Sequence, residues 1–196
     1  IGMVYQHFTV IDNMTVLENI VLARPVIPNV VHWKKEAAAI QKQLATLPFQ
    51  FDLQQKVSSL SAGEKQKLEI TKQLLLNSNI LILDEPTSVL TPQEADHVLS
   101  ELKKMAHEQA LTVLMITHKC REVMSYSDDV TVLRKGELVG SCAVADTTPT
   151  QLSEMMMGVK VAAKALQRDA AEHPDKPSFS IQKMSMLNDQ GLLAVQ

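Results

Sequence analysis

The chain has 196 residues, of which 45% are hydrophobic, and a formal net charge of −3 at pH 7. This length accommodates one domain with its own core and part of a second, and the charge lacks the basic excess typical of nucleic-acid-binding proteins. No apolar run reaches the roughly 18 residues that a membrane-spanning helix requires. The two cysteines, Cys120 and Cys142, lack metal-ligand spacing, which indicates a globular protein of a reducing compartment without a disulfide.

Three short apolar runs predict strands. The first, IGMVY at residues 1–5, lacks the basic start of a signal peptide, and a chain that opens within a strand is expected to be part of a longer protein. The others are ILIL at 80–83 and TVLMI at 112–116. None shows clean alternation of polar and apolar residues, which is typical of strands covered on both faces in a parallel sheet.

Helical patterns separate these strands. Pro25 breaks the first predicted helix and Pro48 stops the second, because proline cannot continue a helix. The alternation of strands and helices favours an α/β architecture with a helical insert between the first two strands. The predicted helices lie at residues 14–23, 34–47, 61 to about 76, and 91–109.

Two of these helices begin with the spacing of a capping box, in which a side-chain oxygen and a carboxylate each satisfy a free backbone N–H. Ser61 and Glu64 form the first pair, and Thr91 and Glu94 the second. Gly63 lies just inside the first helix, where glycine costs about 1 kcal/mol relative to alanine, and its small size lets an anion approach the backbone. Ser61 therefore either caps the helix or also binds a ligand.

The sequence after the third strand changes character twice. Residues 129–144 predict a hairpin that turns at Lys135–Gly136, and a short helix at 149–157 stops at Gly158. The domain boundaries follow from the segments beyond it. These are a first domain at 1–158, a linker at 159–177 that ends in prolines, and the beginning of a second domain at 178–196, with a turn at 188–191.

Polar side chains follow all three predicted strands. Gln6 follows the first strand, Asp84 and Glu85 the second, and Thr117 and His118 the third. In an open α/β sheet, ligands bind beyond the carboxyl ends of the parallel strands, so these side chains are expected to gather along one edge. Two acidic groups and an imidazole there fit a site for a metal, a water and a charged substrate.

The residue types indicate how such a site would work. Asp84 is placed to hold Mg²⁺, which takes one or two carboxylates plus waters and phosphates, and Gln6 could reach the metal or the water. Glu85, which Pro86 biases towards an extended conformation, could accept a proton from an attacking water. His118 could donate to a phosphate oxygen or orient that water. Taken singly, the two acidic residues would be an ordinary loop pair, and His118 a helix cap.

Four motifs occur in order along the chain: MVYQ, LSAGE, LILDEPTSVLT and ITHK. They resemble the Q-loop, the signature, the Walker B with its D-loop, and the H-loop of ABC ATPases, over about residues 1–158. The amino-acid sequence in and around these motifs most resembles that of the tandem ATPase subunits of simple-sugar and nucleoside importers, in which two ABC domains share one chain. The resemblance implies a truncated P-loop NTPase core, with a parallel sheet, a helical subdomain at about 12–76, and a short β-rich start of a second ABC domain.

The resemblance also implies roles for individual residues. Gln6 would sense Mg²⁺ and couple to a permease, Asp84 would bind the metal, Glu85 would be the catalytic base, and His118 would be the switch histidine. The signature would bind the γ-phosphate of ATP held by an opposing ABC domain. The signature residues that would do so are Ser61, Ala62, Gly63 and Glu64.

Cofactors, partners and location follow from the same resemblance. It implies ATP and Mg²⁺, permease subunits that contact the helical subdomain and the Q-loop, and a second ABC domain that completes the composite ATP sites. An extracytoplasmic solute-binding protein would act indirectly. The subunit would hydrolyse ATP as a peripheral protein at the cytoplasmic side of the cell membrane, without binding nucleic acid.

The sequence contains no Gly-x-x-x-x-Gly-Lys-Ser/Thr, the loop that holds phosphates in P-loop proteins. In the family this loop, Walker A, lies upstream of the Q-loop, so the polypeptide alone is expected to bind ATP weakly and to be inactive. Two alternatives stay open. One is a soluble ABC ATPase acting on ribosomes or DNA, which the negative charge disfavours, and the other is a non-catalytic interaction fragment.

Overall fold

The computed structural model describes residues 1–108, 111–158, 185–187 and 193–195. The chain consists of two compact units, Ile1–Lys160 and Val161–Gln196. The predicted linker at 159–177 lies outside the described residues, so the predicted domain boundaries stay a prediction. Among the helices that the structure describes, none is both long enough and apolar enough to cross a membrane.

The first unit contains a three-stranded parallel sheet in the order β1 (Gly2–Val4), β2 (Ile80–Asp84), β3 (Thr112–Ile116). The register pairs Val4 with Leu83 and Asp84 with Ile116. The three predicted strands and their parallel arrangement are confirmed. The second strand is one residue longer than predicted, because Asp84 pairs within the sheet.

The two faces of this sheet differ in burial. Leu81 and Leu83 are fully buried, whereas Ile80, Leu114 and Ile116 are 40%, 56% and 48% exposed. The prediction that these strands are covered on both faces is therefore wrong for the described part of the chain. The helices that follow residues 61 and 91 pack on the face that carries Leu81 and Leu83. The strand register places the exposed side chains on the opposite face.

Each predicted helix is present, and a further one follows β3. Four of the described helices begin with a full capping box, in which a Thr or Ser side chain accepts a hydrogen bond from the N3 backbone N–H. The capping residues are Thr15, Ser61, Thr91 and Thr148, of which Ser61 and Thr91 were predicted. Two short 3-10 turns lie at Val57–Ser59 and Val144–Asp146. The helices are α1 (Val16–Leu22), α2 (Trp33–Leu44), α3 (Ala62–Leu75), α4 (Pro92–His107), α5 (Cys120–Tyr126) and α6 (Pro149–Met157).

Helix α3 belongs to both hydrophobic cores of the first unit. Leu68 packs into the core formed with α1, α2 and the segment before α3. Ile70 packs into the core formed with the sheet and α4. Residues two positions apart on a helix are separated by about 200° of rotation. Helix α3 therefore presents nearly opposite faces to the helical layer and to the sheet.

Two antiparallel hairpins complete the described structure. In the first unit, β4 (Asp129–Arg134) and β5 (Glu137–Ala143) turn at Lys135 and Gly136, whose φ angles are 52° and 82°. Two consecutive positive φ angles define the type I′ turn that suits hairpins, so the predicted turn is confirmed. In the second unit, β6 (Met186–Leu187) pairs with β7 (Leu193–Val195), and the predicted turn between them lies outside the described residues.

Candidate functional site

The carboxyl ends of β1, β2 and β3 lie at one edge of the sheet, as predicted. Val4 pairs with Leu83, and Asp84 pairs with Ile116. The three strands therefore end within one or two residues of each other along the sheet. Gln6, Glu85 and His118 are thereby carried on three neighbouring loops.

The backbone of Glu85 is unusual. Its φ is 48°, in the left-handed region that non-glycine residues seldom adopt. The prediction of an extended Glu85 before Pro86 is therefore wrong. The Glu85 N–H donates to the Ile116 carbonyl at 2.9 Å, which continues the bonding between β2 and β3, and the turn aims the side chain towards the loop after β3.

Glu85 and His118 form a direct hydrogen-bonded pair. The distance between Glu85 Oε1 and His118 Nδ1 is 2.7 Å, with the carboxylate side chain 16% and the imidazole 70% exposed. His118 does not cap α5, since Lys119 is the N-cap and no side chain caps that helix. The second carboxylate oxygen, Oε2, is buried and has no hydrogen-bond partner among the described residues. An unpartnered buried acceptor suits a water molecule or another donor.

Asp84 is the carboxylate available to a divalent cation at this edge. It is partly buried, and Gln6 is exposed on the neighbouring loop. Across the described ranges, no group of three or more His, Cys, Asp or Glu side chains is arranged to hold a metal. Mg²⁺ is commonly held by one or two carboxylates, with water and phosphate oxygens as the other ligands, so Asp84 with the Gln6 amide fits this donor set.

Ser61 begins α3 with the predicted capping box. Its hydroxyl donates to Glu64 Oε2 at 2.9 Å and accepts from the Glu64 N–H at 3.2 Å. The Ser61 N–H donates to the same carboxylate oxygen at 2.8 Å. These contacts lie within the helix start, and no hydrogen bond among the described residues joins Ser61 to the Glu85–His118 pair.

Gly63 makes room for another carboxylate. A Cβ atom at this position would lie 2.8 Å from Glu94 Oε1 and 3.1 Å from Glu94 Oε2. Glu94 is held there by Lys67, whose Nζ is 2.9 Å from Oε1, and by the capping box with Thr91. The hydrogen bond from Lys67, followed by that from the Thr91 backbone, lowers the pKa of Glu94. The anion that approaches this glycine thus comes from α4 of the same unit.

Sequence reasoning missed a polar cluster beside the Glu85–His118 pair, which we call the Thr87 cluster: the buried Thr87 and Glu122 with the partly exposed Lys119. The Thr87 hydroxyl lies 2.7 and 2.9 Å from the two oxygens of Glu122. Lys119 Nζ donates to the Thr87 carbonyl at 3.0 Å and to its hydroxyl at 2.8 Å, and lies 3.2 Å from Glu122 Oε1. The spacing of Lys119 and Glu122 hints at a helical ion pair, but nothing in the sequence points to Thr87.

A second buried network was also missed. Glu69 and Lys72 on α3 are 3% and 6% exposed and pair at 2.9 Å. The Glu69 carboxylate accepts from the Thr9 hydroxyl at 2.9 Å, and Lys72 donates to that hydroxyl at 3.2 Å. The i,i+3 spacing is visible in the sequence, whereas its burial is a result of tertiary packing around α3.

The comparisons with known proteins show what the first unit is similar to. Residues 1–88 match the family model described as ABC transporter. The structure is similar to the dimeric MJ0796 bacterial ABC transporter cassette, with a TM-score of 0.60 and 26% identity, over 74% of this chain and 62% of that one. The same cassette bound to ADP and Pi gives a TM-score of 0.58 and 25% identity, over 73% and 62%. Residues 1–88 therefore resemble an ABC transporter domain, and the predicted α/β P-loop NTPase-like fold is confirmed.

The relatives of known function are ATP-binding proteins of importers. The glucose import ATP-binding protein TsgD13 of Haloferax volcanii is 35% identical over 100% of this chain and 40% of its own length. The nucleoside import ATP-binding protein NupA of Lactococcus lactis subsp. cremoris is 32% identical over 100% and 38%. The D-allose import ATP-binding protein AlsA of Escherichia coli is 34% identical over 81% and 32%. The chain spans 40% or less of these relatives, which are import proteins of the kind that the motifs indicated.

Proposed function

We propose that this chain is part of the ATP-hydrolysing subunit of an ABC importer that powers uptake of a simple sugar or a nucleoside. The observation that carries the proposal is the Glu85–His118 pair at the carboxyl edge of a parallel sheet, directly after Asp84. The relatives named for import of glucose, nucleosides and D-allose support the solute class.

In this proposal Glu85 is the general base. Its Oε1 is hydrogen-bonded to His118, so its unpartnered Oε2 is the oxygen that accepts the proton of an attacking water. His118 keeps Nδ1 on Glu85, and its exposed Nε2 can donate to a phosphate oxygen when both ring nitrogens carry a proton. Asp84 and Gln6 would hold Mg²⁺, which would offset the negative charge on the phosphates of ATP.

The start of α3 supplies half of a second, composite site. The free N–H groups and partial positive charge of a helix N-terminus favour a phosphate. We propose that Ser61, Ala62, Gly63 and Glu64 contact the γ-phosphate of ATP held by an opposing ABC domain. In the present arrangement Glu64 Oε2 accepts both Ser61 donors, so this carboxylate must give way when phosphate arrives.

The partners follow from the importer assignment. Permease subunits would bind the helical layer within residues 12–76 together with the Gln6 loop, and a second ABC domain would face α3. A solute-binding protein outside the membrane would act indirectly. The subunit would lie at the cytoplasmic side of the cell membrane as a peripheral protein, with ATP and Mg²⁺ as cofactors and no bound nucleic acid.

A Glu85→Gln change tests the general base. In the longer protein that contains this chain, the variant should bind ATP normally and lose hydrolysis by about 10²-fold or more, the range of general base catalysis. Glu137→Gln, which removes an exposed carboxylate from β5, is the matched control and should hydrolyse ATP at the normal rate. Full activity of Glu85→Gln would contradict the assignment.

The same proposal makes a prediction for the chain by itself. Because its sequence holds no Gly-x-x-x-x-Gly-Lys-Ser/Thr, which supplies most phosphate contacts in P-loop proteins, we infer that the isolated chain binds ATP weakly and does not hydrolyse it. Titration with a fluorescent ATP analogue should give no saturation in the micromolar range. Saturation in that range would show that the described site binds nucleotide without such a loop.

A further inference from the structure

The Thr87 cluster lies between the two loops that carry the Glu85–His118 pair. Thr87 follows Glu85 by two residues, and Lys119 follows His118 directly. Lys119 reaches from the second loop to the Thr87 carbonyl and hydroxyl on the first. Glu122, in the first turn of α5, accepts a hydrogen bond from the Thr87 hydroxyl, which connects the first loop to this helix.

Two members of the cluster are buried, and all three members are mutually hydrogen-bonded. Thr87 and Glu122 are 1% and 3% exposed. The Glu122 carboxylate contacts Thr87 and Lys119, and the Thr117 hydroxyl lies 3.4 Å from its Oε2. The loss of one donor would leave a buried carboxylate short of a partner, which is costly. The cluster therefore has one favoured geometry, and the two loops share it.

The Glu85–His118 contact has no comparable support of its own. The imidazole is 70% exposed, and exposed pairs contribute little because water screens them and ordering the side chains costs entropy. Glu85 also has a positive φ, a conformation that persists only where the surrounding structure over-determines it.

We propose that Thr87, Lys119 and Glu122 are positioning residues that hold the Glu85 carboxylate at hydrogen-bond distance from the His118 imidazole. The importance of this distance for hydrolysis rests on the proposed function, whereas the geometric role does not. Thr87 acts through its hydroxyl, which donates to Glu122 and accepts from Lys119. None of the three residues needs to touch substrate.

Imidazole tautomers in the isolated chain report the contact directly. When neutral His118 donates to Glu85 it carries its proton on Nδ1, whereas a free neutral imidazole favours Nε2, since the partner of one ring nitrogen sets the tautomer. Nitrogen-15 NMR of the histidine-labelled chain at about pH 9, well above the ordinary histidine pKa of about 6.5, should show the Nδ1-protonated form. Glu85→Ala should abolish it.

The variants of Thr87 then decide the proposal. Thr87→Val removes the hydroxyl at nearly constant volume and charge, and should lose the Nδ1-protonated form, whereas Thr87→Ser should retain it. Thr131→Val, which removes an exposed hydroxyl paired with Ser141 on the hairpin, should have no effect. Persistence of the Nδ1-protonated form in Thr87→Val overturns the proposal. If Thr87→Val fails to fold, Lys119→Met, at a partly exposed position, is measured instead with the same criterion.

Kinetics in the longer protein separate this proposal from the proposed function. Thr87→Val should lower kcat for ATP hydrolysis by up to about 10²-fold, the cost of misplacing a reacting group, with KM for ATP unchanged and activity restored in Thr87→Ser. An unchanged kcat in Glu85→Ala would refute the proposed function, and the tautomer result would still stand. An unchanged kcat in Thr87→Val beside an inactive Glu85→Ala would refute the positioning role alone.

Discussion

Gly63 is required by the packing of a neighbouring carboxylate. It lies at the second position of α3, where any side chain would meet the Glu94 carboxylate at 2.8 Å. That carboxylate is fixed by Lys67 and Thr91, so it cannot move without breaking contacts between α3 and α4. The absence of a side chain at Gly63 therefore allows two helix starts to pack together.

The Gly63 contact predicts an effect that depends on its neighbour. In a Glu94→Ala background, Gly63→Ala should raise the free energy of unfolding by about 1 kcal/mol, the ordinary preference of a helix for alanine over glycine. In the wild type the same change should fail to stabilise, because the new methyl group displaces Glu94. Chemical denaturation of the four variants measures both effects, and equal effects in the two backgrounds would show that the carboxylate does not matter.

Ser61 has a cap function that the structure describes and a ligand function that we propose. Ser61→Ala should lower the free energy of unfolding by about 0.5–2 kcal/mol, the usual loss of an N-cap. Hydrolysis by the longer protein should fall well beyond what this loss explains. Thr148→Ala removes an equivalent capping box from α6 and is the matched control. If the two variants lose activity in equal proportion to stability, Ser61 is a cap alone.

At the scale of elements, the contact between α3 and α4 depends on the charge of Glu94. Its pKa in the folded state is lowered from 4.5, chiefly by the hydrogen bond from Lys67. A lowered carboxyl pKa contributes stability above the unfolded-state pKa, and this contribution disappears as pH falls through the folded-state pKa. The ion pair is about one-third exposed on the Glu94 side, so the contribution is modest.

This linkage predicts the pH dependence of a Glu94→Gln variant. The difference in the free energy of unfolding between wild type and variant should be constant near neutral pH, narrow below about pH 4.5, and vanish below the folded-state pKa. Lys67→Met removes the first cause of the shift and should flatten the same dependence. Urea unfolding across pH 3–7 provides the measurement, and a difference that persists unchanged at pH 3 would contradict this account.

The elements were easier to predict than their surroundings. Short apolar runs and capping spacings indicate local structure, so β2, α3 and the Lys135–Gly136 turn could be read from neighbouring residues. The positive φ of Glu85 and the bond from Thr87 to Glu122 across 35 positions depend on tertiary packing. The gathering of polar side chains at one edge of the sheet could be predicted, because parallel strands run in the same direction. The contacts within the Thr87 cluster could not.

At the scale of the whole molecule, one face of the sheet is apolar and partly exposed. Ile80, Leu114 and Ile116 contribute to this face, and exposed apolar surface promotes association. The chain in isolation should therefore associate at micromolar concentration, in a manner that sedimentation velocity can measure. Leu114→Thr with Ile116→Thr should weaken association, whereas Val26→Thr, at an exposed position elsewhere, should not. A monomeric wild-type chain would refute the prediction.

The sharing of α3 between two cores has a mechanical consequence. Leu68 anchors the helix to the helical layer and Ile70 anchors it to the sheet, so the segment around them acts as a fulcrum. Ser61 lies nine residues before Ile70, at a distance of about 14 Å along the axis, and a tilt of about 10° there would displace it by about 2 Å. A small rotation of α3 about this segment would therefore displace its N-terminus far enough to break or form a hydrogen bond there.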